Sequence, residues 1–161
     1  MTKRATTPAR VMVLLGSESD LPVIEGLRKL LDRFGLPHRV EIASAHRQPD
    51  KLRRLVTAGD REGIAVYIAV AGMAAHLPGV VASLTLRPVI GVPVAAGPLA
   101  GIDALLSMAQ MPGGVPVATV AIGTAGARNA AVLAARILAL GDARVAAALE
   151  DFRREQARGG G

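Results

Sequence analysis

The chain has no cysteine and no tryptophan, and its 161 residues include only three aromatic side chains, Phe34, Tyr67 and Phe152. The lack of cysteine rules out disulfides, thiolate metal sites and a cysteine nucleophile, and makes a reducing, cytoplasmic setting the default expectation. With so few aromatics, Ala, Val, Leu and Ile must build the core, and bases have no stacking platform. The net charge of +6 is carried mainly by scattered arginines. Such a balance suits a small anionic substrate better than a nucleic acid. No apolar run is long enough to span a membrane. The basic residues Lys3, Arg4 and Arg10 lead into the strand-like "ARVMVLLG" rather than a signal-peptide core. The expected partner is therefore a small molecule, with neither nucleic acid nor a membrane.

What is present is an alternation. Residues 1–9 read as a disordered arm. "RVMVLL" (10–15), "HRVEIA" (38–43), "IAVYIAV" (64–70), "PVIGVP" (88–93) and "VATVAIG" (117–123) read as short apolar strands. Helical spacing of Val23, Ile24, Leu27, Leu30, Leu31 and Phe34 predicts a first helix, capped by Ser19 and Asp20 and closed by Gly35. Further helices are expected over 49–59, about 78–85, 101–110 and 126–140. Strands alternating with helices predict one α/β domain over residues 10–141. Its architecture is a three-layer α/β/α sandwich on a five-stranded, parallel, doubly wound sheet of flavodoxin-like order. Ligands of such sheets bind beyond the carboxyl ends of the strands. That singles out the loops 16–20, 44–48, 71–79, 94–101 and 123–126. A further amphipathic helix, within residues 142–161, presents Val145, Ala148, Leu149 and Phe152 on one face. It is expected to lie as an arm on a neighbouring subunit, with packing on its own domain as the alternative, and the "RGGG" tail is expected to fray.

Three of these loops hold side chains that can do chemistry. In "GSESD" (16–20), Gly16 admits close backbone approach, while Ser17, Ser19 and Asp20 suit either plain helix capping or an anion at a helix start. "SAHR" brings Ser44, His46 and Arg47 together. This is either a solvated turn or a proton carrier beside an anion clamp. "AGMAAHLPG" (71–79) offers the small-residue run Gly72, Met73 and Ala74, followed by His76 and Leu77. Such a loop suits close packing and close ligand contact equally. The three histidines have no metal-ligand spacing, and no dinucleotide fingerprint, Walker loop or serine-hydrolase elbow is present.

Taken with "LLSMAQMPGGVPVATVAIG" and "AGARNAA", these segments resemble, in order and spacing over roughly residues 10–156, the class I N5-carboxyaminoimidazole ribonucleotide mutase family of purine biosynthesis. The resemblance implies an isomerase that moves a carboxyl group from the exocyclic nitrogen to ring carbon C4 through trapped carbon dioxide. It implies no metal, biotin or other cofactor. His46 matches the family's acid–base residue; Ser17, Asp20 and Arg47 match substrate-binding residues, as does the run Gly72–Leu77. Gly16, Ser19 and Ser44 complete the candidate binding set. A homo-octamer with sites shared between subunits is also implied. Where the family usually reads GAGGAAHLPG, this chain has Val70 and Met73, and its "VAAGPLAG" (94–101) carries fewer polar residues. The alternatives are a carboxylase acting directly on carbon dioxide, as in divergent class II relatives, and a non-catalytic nucleotide-binding module on the same fold.

Overall fold

The computed structural model describes residues 8–159. Residues 1–7 of the expected N-terminal arm and residues 160–161 of the tail lie outside them. Five strands, β1 (Val11–Leu15), β2 (His38–Ile42), β3 (Val66–Gly72), β4 (Val89–Val94) and β5 (Ala118–Thr119), form one sheet in the order β2-β1-β3-β4-β5. All neighbours are parallel, and β1 lies between β2 and β3, with Val11 opposite both His38 and Val66. This is the flavodoxin-like order expected from the alternating sequence.

Because side chains alternate across a strand, each strand feeds two cores. Val11, Val13, Leu15, Val66, Ile68, Val70, Ile90 and Val92 face the layer made by α1 (Glu25–Arg33), α5 (Gly123–Ala139) and α6 (Ala143–Ala157). Met12, Leu14, Tyr67, Ala69 and Val89 face α2 (Pro49–Glu62), α3 (Leu77–Leu84) and α4 (Ile102–Ala109). With both faces covered, the central strands can be apolar throughout. In place of aromatic bulk, α5 brings a stripe of alanines, Ala127, Ala130, Ala131, Ala134 and Ala135, each with no exposed surface. Small side chains let the helix come close to the sheet.

Several boundaries differ from the sequence expectation for physical reasons. The first helix starts as a 3-10 helix, Glu18–Ile24, and becomes α-helical only at Glu25. Pro22 lies inside that first segment, where it cannot donate to an α-helical ladder. Its cap is Ser17, not Ser19. Helix α2 runs past Gly59 to Glu62 because Gly63, at φ +92, supplies the left-handed closing residue. The fifth strand shrinks to two residues, paired only with Ile90 and Gly91. It is an edge strand with no second neighbour, Ala118 and Ala121 are exposed, and α5 already begins at Gly123.

The apolar face of α6 is used within its own chain. Val145 and Phe152 are buried in the α1/α5 core, with Ala148 and Leu149 packed against it. Phe152 meets Phe34 edge-on at 5.4 Å, Arg33 stacks 5.0 Å from the Phe152 ring centroid, and Arg33 pairs with Glu155 at 2.6 Å. Only Leu140, Gly141 and Asp142 separate α5 from α6. So short a connection folds α6 back onto α5, and this face packs on its own domain, the alternative the sequence offered.

Candidate active site

Three loops meet at the carboxyl edge of β1, β2 and β3 around a cavity of about 430 Å³. The first loop follows β1. Ser17 Oγ accepts from the Ser19 N–H, and Asp20 Oδ2 accepts from the Ser17 N–H at 3.1 Å, forming a reciprocal capping box. Gly16 and the Ser17, Ser19 and Asp20 side chains all line the cavity. Asp20 is the one buried charged residue among those described. Burial pushes its pKa up, and the Ser17 N–H opposes that only in part. A carboxylate held this way, with one backbone donor, still has room for a further hydrogen-bond donor.

The second loop is a tight turn after β2. The Gln48 N–H donates to the Ser44 carbonyl at 2.9 Å, the Arg47 N–H donates to Ser44 Oγ at 3.2 Å, and Pro49 then starts α2. The turn places His46 and Arg47 side by side on the cavity wall, with Ser44 and Ala45 beneath them. The third loop follows β3 and supplies Ala71, Gly72, Met73, Ala74, His76 and Leu77. His76 sits just before α3, which Pro78 helps to start.

The second and third loops touch through their histidines. His46 Nε2 and His76 Nδ1 are 2.6 Å apart, and the rings meet edge-on with centroids 4.7 Å apart. At that distance the two nitrogens share one proton, so one ring donates and the other accepts. Nothing in the sequence announces this contact, because the two residues are 30 positions apart in unrelated motifs.

All twelve candidate residues named from the sequence line this one cavity. Ala45, Ala71 and Ala96 join them. The only trace of Ala96 in the sequence is its place in the 94–101 loop; a Cβ on Gly72 would lie 2.9 Å from Ala96 Cβ. The 123–126 loop does not reach the cavity, since β5 ends at Thr119. A larger concavity of about 550 Å³ between α1, α5 and α6 contains no histidine. Among the described residues no three His, Asp or Glu side chains converge as a metal site, and no helix is long and apolar enough to cross a membrane.

Comparison with known proteins gives a consistent result. A family model described as AIR carboxylase matches residues 10–159. The N5-carboxyaminoimidazole ribonucleotide mutase of Escherichia coli K12 is 49% identical over 149 residues, covering 92% of this chain and 88% of the relative. The protein of that name from Pyrococcus horikoshii is 52% identical over 130 residues, covering 81% of this chain and 72% of the relative. Among solved structures, Treponema denticola PurE superposes with a TM-score of 0.84 at 30% identity, covering 92% of this chain and 91% of that one. With a family match that spans the whole sheet and every loop of the cavity, the chain belongs to the AIR carboxylase family.

Proposed function

We propose that this protein is an N5-carboxyaminoimidazole ribonucleotide mutase, an isomerase that forms 4-carboxy-5-aminoimidazole ribonucleotide in purine biosynthesis. The observation that carries this reading is the His46–His76 pair in a cavity that also holds Asp20 and Arg47, in a chain about half identical to proteins of that name. The reaction needs one proton delivered to the nitrogen as its carboxyl group leaves, and one removed from C4 after the new bond forms. A histidine can do both in turn. His46 is the acid–base residue, and His76 takes up the proton's other position. Arg47, with Ser17 and Ser19, binds the phosphate, while Asp20 accepts from the ribose hydroxyls. Gly16, Ser44 and the backbone from Gly72 to Leu77 shape the wall around the base.

In this reading the enzyme works in the cytoplasm, without metal or cofactor, as a homo-octamer. Leu99, just before α4, and Ile102 and Leu106 on α4, each more than half exposed, form an apolar strip that a second copy would cover. Sedimentation velocity tests the octamer, and a monomer at working concentration refutes it. The test of function is turnover of the purified protein on the carbamate substrate, without ATP or added metal. Wild type should form the C4-carboxylated product, and His46→Asn should lose at least about a hundredfold. Product formed only from the free amine and carbon dioxide would instead favour the direct carboxylase. Binding without turnover would favour the non-catalytic module.

A further inference from the structure

Met73 is one of two non-glycine residues among those described with a left-handed backbone, at φ +54; the other is Ala100 at φ +49. A side chain with a Cβ is disfavoured there, whereas glycine is not. The side chain is also 55% exposed, although it is apolar. Neighbouring structure does not require it, since β3 ends at Gly72 and α3 starts with Leu77 and Pro78.

Its contacts lie across the mouth of the cavity. The loop after β3 runs against the loop after β4 at two successive places. At the first, Gly72 meets Ala96. At the second, Gly97, itself at φ +67, leaves room for Met73, whose Cγ and Sδ lie 3.5 Å from where a Gly97 Cβ would stand. The same methionine lines the cavity shared by His46, His76 and Asp20.

We infer that Met73 is a specificity-determining cover, whose thioether arm bridges the two loops and keeps water from the cavity while carbon dioxide is free. This deepens the mutase reading and rests on it. In the first half of that reaction the N–C bond breaks, its electron pair stays on nitrogen, and nitrogen gains a proton. In the second half C4 supplies the electron pair of the new C–C bond and then loses its proton to the base. Between the two, carbon dioxide is uncharged and accepts only weak hydrogen bonds, so the surrounding walls must retain it. A flexible apolar side chain with no donor of its own suits that task.

The test measures carbamate consumed, free amine released and C4-carboxylated product formed, for wild type, Met73→Ala and Met73→Leu, after subtracting decay in buffer. Circular dichroism checks that each variant is folded. Wild type should turn nearly every carbamate into product. Whatever its overall rate, Met73→Ala should release about threefold more amine per product than wild type, and Met73→Leu should restore the coupling. A Met73→Ala protein as tightly coupled as wild type overturns the cover, and so does a Met73→Leu protein that leaks like the alanine variant. Wild type that consumes no carbamate overturns the mutase reading itself, and the cover with it.

Discussion

Replacing Gly59 with alanine adds one methyl group to the buried side of α2, at a helix position where alanine is ordinarily the better residue by about 1 kcal/mol. Here the new Cβ would stand 2.6 Å from the Tyr67 hydroxyl, 2.8 Å from Met12 Cε and 3.2 Å from Ile64 Cγ1. Met12 can swing its terminal methyl aside, but the hydroxyl is fixed. It lies 3.0 Å from the Val56 carbonyl and 2.8 Å from Asp60 Oδ1, the two acceptors for its single proton. To reach an ordinary contact of 3.4 Å the oxygen must retreat by about 0.8 Å, which carries both hydrogen bonds past useful length. A buried hydrogen bond to a charged group is worth about 2 kcal/mol, and crowding Met12 and Ile64 costs about 1 kcal/mol more. Net of the helix gain, Gly59→Ala should destabilise the fold by about 2 kcal/mol. Tyr67→Phe removes the obstructing oxygen, so in that background the same substitution should be close to neutral. Urea unfolding followed by circular dichroism, for wild type, both single variants and the double variant at one protein concentration, gives the coupling energy. Effects additive to within about 0.5 kcal/mol would refute the reasoning.

Other perturbations follow from the site and its supports. A Cβ on Gly126 would collide with the Ala121 carbonyl, so Gly126→Ala must lift the start of α5 off the sheet edge and should cost about 3 kcal/mol in urea unfolding. Asp20→Asn keeps an acceptor for the Ser17 N–H but loses the charge. Because burial raises the Asp20 pKa in the folded state, ionisation opposes folding above the ordinary carboxylate range and not below it. The asparagine variant should therefore melt higher than wild type at neutral pH, with the gap closing in acid, while its KM rises about tenfold for want of a charged acceptor. Asp142 behaves in the opposite sense. Desolvation would raise its pKa, but Arg10, at 2.6 Å, and the Arg144 and Val145 N–H groups outweigh it and hold the carboxyl below its usual value. Its contribution is present above the unfolded value and lost as pH falls through the folded one. Asp142→Ala should lower the melting temperature at pH 7, with the difference shrinking below about pH 4.

The strand–helix alternation was readable because buried parallel strands leave continuous apolar runs, and Val, Ile and Leu mark β1, β3 and β4 without ambiguity. The post-strand loops were readable for the same topological reason, and His46, Arg47, Asp20 and His76 fall together because their loops share one sheet edge. What the sequence hid depends on neighbours. "VATVAIG" has the composition of a full strand, yet only Ala118 and Thr119 find partners, because pairing at an edge depends on what lies beside it. The α6 stripe left two partners open, because periodicity shows that a face needs a partner and not whose face covers it. Gly59 read as the end of a helix, when its actual role is to make room for a hydroxyl from the adjacent strand. The His46–His76 contact arises only once β1, β2 and β3 are set in register.

Tyr67 has a use outside stability. It is the only tyrosine in a chain without tryptophan, so nearly all the near-ultraviolet colour of the protein comes from one phenol at the sealed base of the sheet. Burial, then the nearby Asp60 carboxylate, push its ionisation well above the ordinary value. Unfolded chains ionise near pH 10, so in rising alkali the folded state is increasingly disfavoured. Phenolate absorbance should then appear only as molecules open. The chain thus carries its own optical gauge of unfolding, remote from the site and in need of no added dye.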